Sequence, residues 1–217
     1  MYSWIIGIDE VGRAVRSGRA SPTKWIIGID EVGRGPLAGP VLICATAVRS
    51  GYNLVQEGRR AKLPPLKDSK QLSATQREAW DKWLRANKNI AFAFASASPK
   101  VIDAINISAA ANRCAWRAAL RLSERGVRIA DCQIILDGGL FLRDKKFQSV
   151  FLARTLPKAD EKYPVVSAAS ILAKVKRDKL MVRMDKKYPG YGFSKNVGYG
   201  TLEHRKAVKK TRENGCA

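Results

Sequence analysis

Residues 25–48 read WIIGIDEVGRGPLAGPVLICATAV, and the order of their apolar and acidic positions decides the architecture. Trp25 to Ile29 is a short, isoleucine-rich run bounded by Lys24 and Asp30, too short for a helix, and reads as a buried strand. Asp30 and Glu31 follow it directly. A loop rich in Gly and Pro comes next, and Val41 to Val48 supplies a second apolar run that reads as a partner strand. Two acids placed directly after a buried strand are costly unless paired or bound to a metal.

Outward toward the N-terminus, Trp4 to Arg13 repeats Trp25 to Arg34 without change, and Ala14 to Gly18 repeats Ala47 to Gly51. The first block therefore reads like the second with residues 35–46 deleted. Two unequal copies cannot build a solenoid. Only the second copy runs on into a strand-like segment, so it is expected to be the functional one. Residues 1–23 are expected to be a disordered extension, and residues 24–217 a single catalytic domain. Asp9 and Glu10 of the first copy are the acids that could compete with Asp30 and Glu31.

Further along, Ile90 to Ser96, Ile134 to Leu136 and Val150 to Leu156 read as strands, which makes a sheet of about five, a normal size for one domain. Ser73 and Gln76 form a capping box that opens a helix through about Ala86. Ser108 to Arg125 is alanine-rich and stops at Gly126. Between Val165 and Lys187 the apolar residues Ala168, Ile171, Leu172 and Val175 recur at helical spacing, with Lys174 and Arg177 expected to point elsewhere. Strands interleaved with helices give an α/β domain with a mixed sheet.

The chain has 217 residues, 40 Lys and Arg against 19 Asp and Glu, and a formal charge of +21. So large an excess attracts a polyanion. No apolar run is long enough to span a bilayer, which leaves nucleic acid as the favoured partner. No secretory signal is legible, and the cysteines Cys44, Cys114, Cys132 and Cys216 lack metal-ligand or disulfide spacing, so a cytoplasmic protein is expected. From about residue 164 the C-terminal part is helical and basic. Residues 174–210 hold twelve Lys or Arg against three acids, a phosphate-tracking face whose binding should fall steeply with salt. A passive RNA binder of ribosomal type would explain the charge equally well.

It would not explain the acids. Asp30 and Glu31 end one strand, Asp137 follows Ile134 to Leu136, and Asp160 stands between a strand and the long helix. Asp137 alone, before Gly138 and Gly139, reads as a turn residue. Four acids at three strand ends form an all-oxygen donor set, which selects Mg²⁺ or Mn²⁺ over zinc. Two such ions can drive hydrolysis without a histidine base. His204, the only histidine, is expected on the surface or against a phosphate.

At these residues the sequence resembles the ribonuclease HII family. The elements are GIDEVGRGPLAGPV (28–41), the DSK-x-L element Asp68 to Leu72, ILDG (135–138), KADEKYPVVSAASILAKVKRD (158–178) and YGFSKNVGYGTLEH (191–204). They occur in the expected order and cover nearly all of residues 24–206. The resemblance implies a ribonuclease H-like fold, a mixed five-stranded sheet flanked by helices with a helical C-terminal part. It implies metal ligands Asp30, Glu31, Asp137 and Asp160 around two Mg²⁺ or Mn²⁺ ions. Gly33, Arg34 and Gly35 would read the ribose 2′-hydroxyl, with Lys70 and Tyr199 as further substrate contacts. Without the resemblance Tyr199 reads as a core or turn residue.

The implied activity is cleavage of the RNA strand of RNA–DNA hybrids, and of duplex DNA 5′ to a single embedded ribonucleotide, leaving 3′-hydroxyl and 5′-phosphate ends. Another nuclease of the same fold would share the acids but does not predict the Gly33–Gly35 loop with Tyr199. The first copy departs from the pattern, because Ala14 follows Arg13 where the second copy has Gly35. A monomer is expected, and a sliding-clamp partner stays open, since residues 211–217 carry no recognisable clamp-binding peptide.

Overall fold

The computed structural model describes residues 5–8, 14–17 and 25–213. The strands are β1 (Ile5–Ile8), β2 (Ala14–Ser17), β3 (Trp25–Val32), β4 (Val41–Arg49), β5 (Ile90–Ala97), β6 (Gln133–Asp137) and β7 (Ala153–Leu156). The helices are α1 (Leu54–Arg60), α2 (Ala74–Ala86), α3 (Pro99–Ile105), α4 (Ile107–Ser123), α5 (Lys145–Gln148), α6 (Ala159–Lys162), α7 (Pro164–Lys187), α8 (Phe193–Asn196) and α9 (Leu202–Glu213). None of them is long and apolar enough to cross a membrane.

Strands β3 to β7 form one mixed sheet in the order β5-β4-β3-β6-β7. The β3–β4 and β4–β5 pairs are antiparallel, while β6 and β7 join in parallel. The central position thus belongs to the second WIIGIDEVGR copy. From the first copy, β1 pairs antiparallel with β2 in a separate ladder. Asp9 and Glu10 lie outside the described residues, as does most of the extension expected to be disordered.

Both faces of the sheet are covered, which explains why β3 and β4 read as continuous apolar runs rather than as alternating ones. One face buries Ile27, Ile29, Ile43 and Ala45 against the alanines of α4 (Ala111, Ala115, Ala118 and Ala119), whose small side chains let the helix lie close. The other face buries Leu42, Cys44 and Ile135 against Val166, Ile171 and Leu172 of α7, with Trp80 and Leu84 of α2 closing the edge. Each buried Ile or Leu removes enough apolar surface from water to stabilise the fold by about 1.5–3 kcal/mol. The capping box at Ser73 and Gln76 is present with both hydrogen bonds.

One glycine sets the depth of this packing. A Cβ on Gly28 would lie 2.5 Å from the Val165 carbonyl carbon and 2.6 Å from the Val166 nitrogen. Only a hydrogen fits there, so the start of α7 rests directly on the central strand.

The structure departs from the sequence expectations in two elements. Strand β3 runs on to Val32, because β4 keeps pairing as far as Val32 with Leu42, so Asp30 and Glu31 are strand residues rather than the residues after it. The strand expected over Val150 to Leu156 begins only at Ala153. Phe147 and Phe151 instead pack edge-on and tilted against Trp116 of α4, and that aromatic cluster takes the preceding residues out of the sheet.

Candidate active site

Strand register builds the site. The parallel ladder pairs Ile29 with Leu136, so Asp30 and Asp137 are the next residues along two neighbouring strands. Asp30 shares the α7 face of β3 with Gly28. It is only 5% exposed, and one carboxylate oxygen accepts from the Glu31 amide at 2.7 Å. Burial raises its pKa well above the ordinary carboxylate range, and the charges of Glu31 and Asp137 raise it further, against a hydrogen bond from Ser170.

Glu31 alternates to the α4 side. Burial raises its pKa too, with Asp137 adding and Arg34 opposing. Arg34 turns back toward it, with Nη1 at 3.3 Å from Glu31 Oε1 and Nη2 donating to Ser108 Oγ at 2.9 Å. The second Glu31 oxygen, Oε2, is buried without a hydrogen-bond partner.

Asp137 acts as a cap as well as an acid. Its Oδ1 accepts from the Ala159 amide at 2.6 Å and the Asp160 amide at 3.3 Å, which ties the end of β6 to the start of α6. That link brings in Asp160, which is 7% exposed and has its carboxyl pushed up to about 6 by burial, then by Asp137 and Asp68. Asp68 thus stands close enough to Asp160 to be one of the groups that raise its carboxyl.

Asp68 is a fifth acid that the sequence reading did not count. It caps the Ser69–Gln71 turn, and Ser69 Oγ lies 2.8 Å from Ser170 Oγ on α7, anchoring the turn beside Asp30. Lys70 on the same turn faces the cluster. Its partial burial would lower its pKa, but Asp68, Asp160, Asp30 and Asp137 outweigh that and raise it. The DSK tripeptide was legible; its place among the carboxylates was not, because 36 or more residues separate it from each of them in the chain.

The donor chemistry fits a hard divalent cation. An orphaned Glu31 oxygen and carboxyls with raised pKa values are what a site lacking a counter-charge shows. Among the described residues no three acidic, histidine or cysteine side chains form a finished cage. Arg34 occupies one Glu31 oxygen, and backbone amides occupy Asp137.

The loop after β3 approaches a second loop from the C-terminal part. A Cβ on Gly35 would meet Tyr199 Cε1 at 3.7 Å, and Tyr199 is 44% exposed. Gly33 differs in kind. Its φ is +95°, and a Cβ there would meet Arg177 Nε at 2.5 Å and the Pro40 carbonyl oxygen at 2.6 Å, so this glycine is demanded by the fold. Two C-terminal residues overturn their sequence reading. Arg177, counted with the basic face, is 0% exposed, as is His204, expected at the surface. Arg177 follows Ser170, Ala173 and precedes Met181 at helical spacing, the buried side of α7, and that periodicity was the available signal. His204 Nδ1 lies 2.8 Å from the Tyr199 carbonyl oxygen and its ring packs edge-on to Phe193. The thiols of Cys44, Cys114 and Cys132 are unpaired and buried as core residues; Cys216 lies outside the described residues.

This sheet order, with helices on both faces and acids at the ends of adjacent strands, places the chain in the class of ribonuclease H-like α/β proteins. The family model described as Ribonuclease HII matches residues 27–215. The ribonuclease HII of Borrelia duttonii (strain Ly) is 40% identical over 206 residues, 95% of this chain and 92% of that protein. In the solved structure of the PCNA:RNase HII complex from Archaeoglobus fulgidus, one chain superposes with a TM-score of 0.69 at 27% identity, covering 89% of this chain and 91% of that one. Bst-RNase HIII, solved in complex with Mn²⁺, shares the fold at 20% identity and a TM-score of 0.65, over 89% of this chain and 64% of that one. The chain belongs to the ribonuclease HII family. It is a ribonuclease H, an endonuclease that hydrolyses RNA.

Proposed function

We propose that the protein cuts the RNA strand of RNA–DNA hybrids, and duplex DNA on the 5′ side of a single embedded ribonucleotide, leaving 3′-hydroxyl and 5′-phosphate ends. The observation that carries this reading is the joining of two features by one short loop: β3 holds Asp30 and Glu31, and four residues further on Gly35 lies against the exposed Tyr199 ring. Acids for phosphodiester hydrolysis and an exposed aromatic surface beside an open backbone are thus built side by side.

Asp30, Glu31, Asp137 and Asp160 are the residues that would hold two Mg²⁺ or Mn²⁺ ions. Bound there, such ions lower the pKa of a water and offset charge on the departing oxygen. The chain's own groups do the rest. Lys70, beside four carboxylates, limits their mutual repulsion and can face a phosphate oxygen. Arg34 holds Glu31 in place between β3 and Ser108. Gly35 leaves the backbone open for close approach by a ribose, whose 2′-hydroxyl distinguishes RNA from DNA. Tyr199 offers its ring to the neighbouring sugar. The exposed lysines and arginines of α7 and α9, Arg177 not among them, hold the duplex backbone.

We read residues 24–217 as the catalytic domain, acting as a monomer in the cytoplasm, and residues 1–23 as an extension outside it. The deciding experiment is cleavage of a DNA duplex containing one ribonucleotide, beside an all-DNA control, with Mg²⁺, Mn²⁺ or EDTA. Metal-dependent nicking 5′ to the ribonucleotide that is lost in Asp30→Asn supports the assignment. Equal cutting of the control would reject ribose recognition, and cutting in EDTA would reject the metal ligands.

A further inference from the structure

Arg177 is a charged side chain with no exposure to water, and its hydrogen bonds go to backbone carbonyls of two separate loops. Nε donates to Pro40 at 3.2 Å and Nη2 to Ala38 at 3.2 Å, both in the loop that follows β3. Nη1 donates to Val197 at 2.9 Å, in the turn that carries Tyr199. Desolvating a guanidinium is costly, and burial lowers the Arg177 pKa. A side chain retained at that cost, with each of its three nitrogens engaged, fixes something that an apolar residue could not.

What it fixes is the spacing between the two loops. Other bonds cross the same seam: the Leu37 and Ala38 amides both donate to the Gly198 carbonyl, at 2.8 and 3.3 Å. On the far side His204 Nδ1 holds the Tyr199 carbonyl. Gly33 has no room for a Cβ because Arg177 Nε fills that space. The planar fork carries donors in fixed directions, and a lysine ammonium on its flexible stem cannot serve three carbonyls at those angles.

We propose that Arg177 is a positioning residue for ribose recognition: from inside the fold it clamps the Gly33–Pro40 loop to the Val197–Tyr199 turn, fixing how the Gly35 backbone and the Tyr199 ring stand side by side on the surface that meets the sugar. This rests on the ribose-contact reading of Gly35 and Tyr199 given above. A contact surface fixed before substrate arrives needs no ordering on binding, so loss of the clamp weakens binding while leaving the carboxylate end to carry out hydrolysis.

The test uses the full chain with Arg177→Lys, Tyr199→Ala and the double variant, on a duplex with one ribonucleotide. Arg177→Lys should raise KM roughly tenfold, since displacements of about 1 Å in a positioning shell cost one to two orders of magnitude. Its kcat should stay within about threefold, and Mn²⁺ should raise its Tm as much as it raises that of the parent measured beside it. Because the two residues act on one contact surface, the double variant should raise KM no more than Tyr199→Ala alone. An unchanged KM in Arg177→Lys, or a kcat loss matching the unfolded fraction, would leave Arg177 a purely structural residue and overturn the proposal. Additive effects in the double variant would overturn it as well. A Tyr199→Ala variant with the parental KM would instead identify the failure as that of the ribose reading. If Arg177→Lys does not fold, Arg177→Gln, with a shorter planar amide, takes its place in the same cycle.

Discussion

The two ends of the loop after β3 are built on opposite electrostatic principles. At the carboxylate end, Asp30, Glu31 and Asp160 are desolvated beside other acids, and a Glu31 oxygen has no partner. At the Tyr199 end, a buried arginine finds a carbonyl for each of its three nitrogens, and a buried histidine holds a fourth carbonyl. In the first region an acid oxygen is left without a partner, at a cost to the metal-free fold; in the second every nitrogen of the Arg177 guanidinium has its carbonyl before anything binds. The contrast teaches where charge from outside is needed, and where shape is already set.

The largest effect that would break this contrast is on activity. Asp30→Asn should abolish cleavage, by a thousandfold or more on the order expected when an electrostatic centre loses a member. The same variant should make the metal-free protein more stable, by about 1 kcal/mol or a Tm rise of roughly 2–4 °C, because it removes a buried charge among like charges. The amide oxygen can still accept from the Glu31 amide. A less stable Asp30→Asn protein in EDTA would mean the carboxylate end is not strained.

Next come the glycines, which sharpen the comparison within one tripeptide. Gly33→Ala must force a side chain into a φ of +95° and against Arg177 and Pro40, and should lower stability by about 2 kcal/mol or more. Gly35→Ala meets only the Tyr199 ring at an ordinary contact distance. It should melt within roughly 2 °C of the parent, since substitutions without a clash stay within about 0.5 kcal/mol, while raising KM for the single-ribonucleotide duplex. Thermal melting and steady-state kinetics on the two variants would decide whether fold and recognition separate here.

A smaller effect concerns pH. Asp160 has a folded pKa raised to about 6, above its value in the unfolded chain. Its contribution to stability is therefore full below the unfolded pKa of about 3.9 and is lost as pH rises through about 6. Metal-free protein should lose Tm between pH 4 and 6.5 from this group, and Asp160→Asn should flatten that part of the curve. Mg²⁺ should reverse the trend, since a cation favours the ionised carboxyls. A parental curve as flat as that of the variant would show Asp160 to be ordinary. The smallest expected effect is local: Ser73→Ala removes one half of the α2 capping box and should cost about 1 kcal/mol, with kinetics unaffected.

The sequence reading located the sheet well because its signals were local. Apolar runs gave β3, β4 and β5, the capping box gave α2, and alanine content gave α4. It failed where long-range contacts overrode local pattern, as when Phe147 and Phe151 turned to Trp116 and shortened β7. The acids of the candidate site were legible from their places at strand ends. Asp68 was not, since its membership depends on Ser69 meeting Ser170 across 101 residues.

The sequence by itself determined the family, the order of the elements, the acids available to a cation and the excess of positive charge. Those properties reside in the identity of residues and in their spacing along one segment. Tertiary structure alone decided which charges lie in water and which do not. Arg177 and His204 look like members of a basic surface until the loops at 38–40 and 197–199 close over them, and the three-dimensional path of the backbone carbonyls makes one a clamp and the other a lock. Burial is a property of neighbours brought together by folding, and no single stretch of chain encodes it.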